Sequence, residues 1–214
     1  MSPAPASPVA PRQVLDFWFG PRPYAPGGIA QRMRLWFGNP AAPELRPQAD
    51  EAIRDAFGAS VADALAGRLD GWADSPRRRL ALILLLDQFP RNISRGRPEA
   101  FAGDSRALEL ALSGIQQGAD AALDAVERLF FYMPLQHAES REVQAESVAA
   151  FMRLEAEAPE PLHDVFSGVR RYAELHRDIV ERFGRFPHRN RVLGRESTPE
   201  EAQWLRTEGQ RFGQ

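Results

Sequence analysis

The chain has 214 residues, 43% of them hydrophobic and 26% charged, with a net charge of -2, which suits one ordinary globular domain and gives no overall field to gather nucleic acid or acidic lipid. All 27 basic residues are arginines and there is no cysteine, which excludes Schiff-base and thiol nucleophiles, a P-loop lysine, disulfides and thiolate metal sites. The longest apolar run falls far short of the roughly 20 residues that span a bilayer, so no membrane segment is expected.

After Met1, residues 2–10 are Pro, Ala and Ser with one Val; residues 1–10 lack the basic start and apolar centre of a signal peptide and read as a flexible tail on a cytoplasmic protein. Pro11 opens a short helix carrying Val14, Leu15, Phe17 and Trp18 up to Gly20. The proline- and glycine-rich stretch Pro21 to Gly28 is a loop, and a second short helix follows from Ile29 to Phe37. Trp36-Phe37-Gly38 repeats Trp18-Phe19-Gly20, which is either a helical pair packed face to face or a coincidence. Between Pro47 and Gly67, Ile53, Phe57, Val61 and Leu65 recur every four positions, as on a surface helix with one buried stripe.

The next helix is different. Ser75-Pro76 starts it, and the run from Leu80 to Leu86 is apolar on every side, so it runs through the middle of the molecule. Asp87 follows with no break in periodicity; a carboxylate there is desolvated and needs a partner, for which Arg91 is one turn away. Phe89-Pro90 is expected to end this helix. Gly103-Asp104 caps a helix with Leu108, Ala111, Leu112 and Ile115 inward, and Leu123 to Met133 forms another that Pro134 kinks or ends. A longer helix from Glu139 to Glu157 turns Val143, Val148, Phe151, Met152 and Leu154 inward. The clearest stripe then runs from Leu162 to Phe183, with Tyr172 and His176 on it, and Thr198-Pro199-Glu200-Glu201 is a capping box for a last helix through Leu205. Residues 11–208 thus read as a single all-α domain, an array of antiparallel helical hairpins with about eight or nine helices, and residues 209–214 as a C-terminal tail.

Two corners echo one another: Phe89-Pro90-Arg91-Asn92 and Phe186-Pro187-His188-Arg189-Asn190. Arginine forks recognise carboxylate or phosphate, and asparagine supplies a donor and an acceptor; alternatively these arginines only cap helix ends. A third polar knot is Gln136-His137-Ala138-Glu139, where Glu139 either orients His137 or starts the next helix, the second being preferred.

These segments, together with Leu193-Gly194-Arg195 and the opening Val14-Leu15-Asp16-Phe17-Trp18-Phe19-Gly20, resemble the bacterial domain-of-unknown-function family numbered 924 over about residues 12 to 206. The resemblance implies an all-helical, tetratricopeptide-like fold and no established activity. Ala138 stands where that family's pattern leads one to expect serine, which argues against an indispensable hydroxyl there.

Three functions follow. The preferred one is a pocket built from Asp87, Arg91, Asn92, His137, Glu139, Arg185, His188, Arg189 and Asn190 that binds an anionic small molecule or a peptide carboxylate. The second is an enzyme on an anionic substrate with His137, His188 or His176 as acid or base; His176, alone on an apolar stripe, reads first as a hydrogen-bonded core residue. The third is a structural network joining Asp87, Arg91, Arg185 and His137 in an interaction scaffold. No cofactor is expected, and no metal, because there is no His pair at i and i+4 and no His-Glu-x-x-His helix. No oligomeric state can be read.

Overall fold

The computed structural model describes residues 9–22, 24, 27–38 and 41–209. The expected tail over residues 1–8, part of the Pro21 to Gly28 loop and the C-terminal residues 210–214 lie outside the described residues. The rest is all-α, without a strand among the described residues. The helices are α1 (Pro11–Phe19), α2 (Gly28–Phe37), α3 (Arg46–Leu65), α4 (Pro76–Ile83), α5 (Phe89–Ile93), α6 (Asp104–Gln116), α7 (Ala125–Gln136), α8 (Arg141–Ala156), α9 (His163–Phe183) and α10 (Pro199–Thr207). No helix of the described residues is long and apolar enough to cross a membrane.

The α4 helix does not stop at Phe89-Pro90. It widens into a π-helical stretch, Leu84–Gln88, and continues directly as α5. In an α-helix the Pro90 ring would press on the Leu86 carbonyl and leave it without a donor. Here the Phe89 N–H reaches back five residues to the Leu84 carbonyl, and the extra residue per turn gives the ring room. The displaced Leu86 carbonyl lies against Gly103, where a Cβ would come within 2.2 Å of its oxygen. Leu80 to Leu86 are 0 to 1% exposed, so this rod is the axis of the core. It packs against α1, α6 and α7, while α3 covers the π-helical stretch and α5.

The Trp-Phe-Gly echo is a packed pair. Trp36 Nε1 donates to the Trp18 carbonyl at 2.9 Å, and both copies end at a positive-φ glycine, Gly20 and Gly38. The glycines leave room for arginines: a Cβ on Gly38 would meet the Arg46 guanidinium carbon at 3.1 Å. After the rod, α7 packs on α8 and α8 on α9. Pro134 lies inside α7, which runs on to Gln136.

Three residues expected to face inward are exposed, Leu65 at 41%, Met152 at 54% and Tyr172 at 54%, while Ile53, Phe57 and Val61, Val148, Phe151 and Leu154, and Val169, Ala173 and His176 are buried on the same helices as expected. In α6 the fully buried positions are Ala107, Leu110, Ala111 and Gly114, with Leu108, Leu112 and Ile115 only partly covered. A second, small cluster of Ile179, Val180, Phe186 and Trp204 holds α10 to the end of α9.

Candidate functional site

The rod carries Asp87 into the interior, where it is 0% exposed. Its carboxylate accepts hydrogen bonds from His137 Nδ1 at 2.8 Å and Gln88 Nε2 at 2.6 Å, and lies 3.2 Å from Arg91 Nη1. Burial alone would raise its pKa; Arg91 and His137, with the Gln88 hydrogen bond, overcome that and hold it well below the usual carboxylate range. Arg91 is kept in place by a two-pronged bond to Asp104 at 2.8 and 2.9 Å. It also donates to the backbone carbonyl of Asp87 at 2.6 Å.

His137 caps the C-terminus of α7. That end is pinned by Gln144 of α8, whose Nε2 reaches the carbonyls of Gln136 and Ala138, both at 2.8 Å. Burial and the neighbouring Arg91 lower the His137 pKa against the opposing pull of Asp87, so the ring is neutral at pH 7. Beside an ionised Asp87, Nδ1 carries the proton, and Nε2 is left with its lone pair.

These groups border a cavity of about 410 Å³. Gln88, Arg91, Asn92 and Arg95 line it from the rod, and Gln136 and His137 from α7. Trp36, Phe37, Met33 and Met133 give it apolar surface. The α9 wall presents Asp164, Gly168, Tyr172 and His176, four positions spaced by one turn. Arg95 is bonded in bidentate fashion to Asp50, which Asn92 also holds at 2.9 Å. Arg46, at the start of α3, forms no ion pair among the described residues and makes one long hydrogen bond, 3.3 Å to the Phe37 carbonyl. Its pKa is lowered by burial and by Arg95, with Asp50 opposing.

The second corner is placed differently. The α9 helix ends at Gly184 in the left-handed conformation, before Phe186-Pro187, so the two corners do not share a geometry. Arg185 grips Glu201 at 2.7 and 2.8 Å, and Asn190 bonds Ser197 and Glu201 at 3.1 and 3.2 Å; neither lines the cavity. Glu139 neither orients His137 nor starts α8. It accepts from Arg195 at 2.7 and 2.9 Å and from the Phe186 N–H at 2.8 Å, while Ser140 is the helix cap. Arg189 is buried between the rings of Phe101 and Phe186, 4.8 and 4.5 Å from their centroids. Among the described residues the carboxylate in contact with it is Asp104, at 3.4 Å, and burial pushes its pKa down to about 10.

The histidines do come together. His137 and His176 are 6.3 Å apart by ring centroid, and Phe186 stands 5.4 Å from both His176 and His188. His176 Nδ1 bonds the Tyr172 carbonyl at 2.7 Å, a core role that leaves it on the cavity wall. Burial lowers His176 well below its ordinary pKa and His188 to about 3. No group of three or more metal-ligating side chains occurs among the described residues.

Sequence reasoning missed Arg46, Arg95, Asp50 and Gly168, named Gln136 in the third polar knot without giving it a role, and read Asp104 only as a helix start although it joins Arg91 to Arg189. Of the four missed, only Asp50 carried a signal, since it falls three residues before Ile53 on the buried stripe of α3.

A family model described as a bacterial protein of unknown function, DUF924, matches residues 14–209. A solved structure of a protein of unknown function from Agrobacterium tumefaciens, ATU0120, is similar at 38% identity with a TM-score of 0.73, over 91% of this chain and 96% of that one. No curated protein matches.

Proposed function

We propose that this chain, which belongs to the DUF924 family of bacterial proteins of unknown function, binds an anionic small molecule in the cavity between α3, the central rod, α7 and α9. The observation that carries the reading is Arg46. Arg91 and Arg95 spend their forks on Asp104 and Asp50, whereas Arg46 faces the same cavity with a single long bond to a carbonyl. A partly desolvated guanidinium gains most from a carboxylate or phosphate that fits its fork. The volume of about 410 Å³ falls in the range of roughly 300–1,000 Å³ typical of small-molecule sites, which favours a small anion over a peptide. Gly168 supports it: a Cβ there meets nothing within 4 Å, so the middle of α9 forgoes the roughly 0.5–1 kcal/mol that alanine adds to a helix, and leaves the space open.

The test is thermal unfolding of the wild type, Arg46→Gln and Gly168→Leu with a panel of mono- and dicarboxylates and phosphates. A ligand at about a hundred times its Kd stabilises by about 2.7 kcal/mol. The wild type is expected to shift with at least one anion and both variants to lose the shift while staying folded. No shift with any anion, or an unchanged shift in Arg46→Gln, contradicts the reading.

The Asp87–His137 pair favours a second reading, an enzyme that uses His137 Nε2 as general base on the bound anion, with Asp87 fixing the tautomer. Mass spectrometry of anions incubated with wild type and His137→Asn checks it; recovery of every bound anion unchanged counts against catalysis.

A further inference from the structure

We infer that the anion of this cavity is an apolar monocarboxylate: one carboxylate for Arg46 and, attached to it, an apolar chain lying along the stripes of α2 and α9. This rests on the reading above and specifies the body of the ligand as well as its head. Two helix stripes line the cavity with apolar side chains: Met33 and Phe37, one turn apart on α2, and Val165, Val169 and Tyr172 at helical spacing on α9. Buried Met133 joins them from α7. Phe37 and Tyr172 are 41% and 54% exposed although both line the cavity. The Phe37 ring is nonetheless held, stacked on Phe130 with centroids 6.3 Å and planes 13° apart. Gly168 stands within the α9 stripe and leaves the space beside it open, since a Cβ there meets nothing within 4 Å. Apolar surface that is wet in the free protein is covered when a chain enters, which drives binding.

The polar groups that the rod turns to the cavity are already taken. Arg91 is bonded to Asp104 and Arg95 to Asp50, while Gln88 Nε2 is given to Asp87 and Asn92 Nδ2 to Asp50. Gln136 Oε1 has no hydrogen-bond partner, but protein covers it, so a ligand in the cavity does not reach it. Arg46 is then the lining guanidinium with no ion pair among the described residues, and its fork matches one carboxylate. A phosphate monoester carries about −1.5 to −2 at pH 7 and calls for further cations. A second carboxylate on the ligand meets the negative charge of Asp164 on the α9 wall, or loses its hydration to the apolar stripes. A polyol acid sets its hydroxyls against the same stripes.

Calorimetric titration decides the matter, with straight-chain carboxylates from acetate to dodecanoate kept below micelle-forming concentrations, and with dicarboxylates and alkanamides of matched length. Affinity is expected to rise about fourfold per methylene, the equivalent of about 0.8 kcal/mol, and to level off once the cavity of about 410 Å³ is filled. Phe37→Gln and Tyr172→Gln, both at exposed positions and checked by thermal unfolding, should flatten that rise. Arg46→Gln should weaken every acid by a common factor and leave the rise per methylene as it was. The wild-type series is decisive without any variant. Affinity independent of chain length, a rise that never levels, a rise unchanged in both aromatic variants, or tightest binding by a dicarboxylate overturns the apolar body while the anion reading stands. If the matched alkanamides bind as tightly as the acids, or no acid binds, the anion reading falls and takes this inference with it.

Discussion

Lowering the pH should unfold this protein early and steeply, through its histidines rather than its carboxylates. His137, His176 and His188 lie within one cluster, and burial lowers the pKa of each, His188 to about 3. In the unfolded chain they titrate near 6.5. The unfolded state thus binds more protons, and stability rises with pH through this window. The contribution is fully present above about pH 6.5 and drains away as the pH falls toward the folded values. Three protons at about 1.36 kcal/mol each per pH unit give a limiting slope of about 4 kcal/mol per unit. The assay is urea unfolding across a pH series, with proton uptake taken from the slope of stability against pH. His176→Gln should lower the uptake by about one proton. A slope below one proton, or imidazole resonances of these three residues titrating near pH 6.5 in the folded protein, refutes the reasoning.

Asp87→Asn removes the charge that faces Arg91 and His137; since Arg91 keeps Asp104, the cost should sit near the lower end for broken buried pairs, about 3 kcal/mol, read as a lowered urea midpoint. Gly103→Ala forces a Cβ onto the Leu86 carbonyl oxygen at 2.2 Å, and the resulting backbone shift should cost about 1–3 kcal/mol; a neutral result would mean the π-helical stretch is not held by that contact. Thr198→Ala removes the Oγ1 that accepts from the Glu201 N–H at 3.2 Å, while the backbone N–H of position 198 keeps its 2.7 Å bond to the Glu201 carboxylate; the loss should cost about 1 kcal/mol, with loss of amide exchange protection confined to α10.

The rod was legible because seven apolar residues in a row leave no wet face, and Asp87 with Arg91 because they are four apart on it. The Thr198 capping box and the burial of His176 were legible for the same reason: each depends only on neighbours within a turn or two. The continuation through Pro90 was not, since it depends on Gly103 being there to receive the displaced carbonyl. Glu139 was misread because its partner, Arg195, is 56 residues away, and among 27 arginines no local pattern says which one takes which carboxylate. Arg46 stands out only once Asp50 and Asp104 are seen to be occupied by others. Gln144 looks like a residue of a wet helix face until α7 and α8 close over it.

Titrating a carboxylate panel into 15N-labelled protein while watching side-chain signals shows whether one cavity gathers the Arg46 guanidinium, which has no ion pair among the described residues, and the Asp-held His137 imidazole around an anion. Saturable shifts are expected at the Arg46 guanidinium, the His137 ring and the Gln136 amide, with the Gly168 backbone moving along the same curve. Shifts spread over exposed arginines with these four silent would contradict the anion reading.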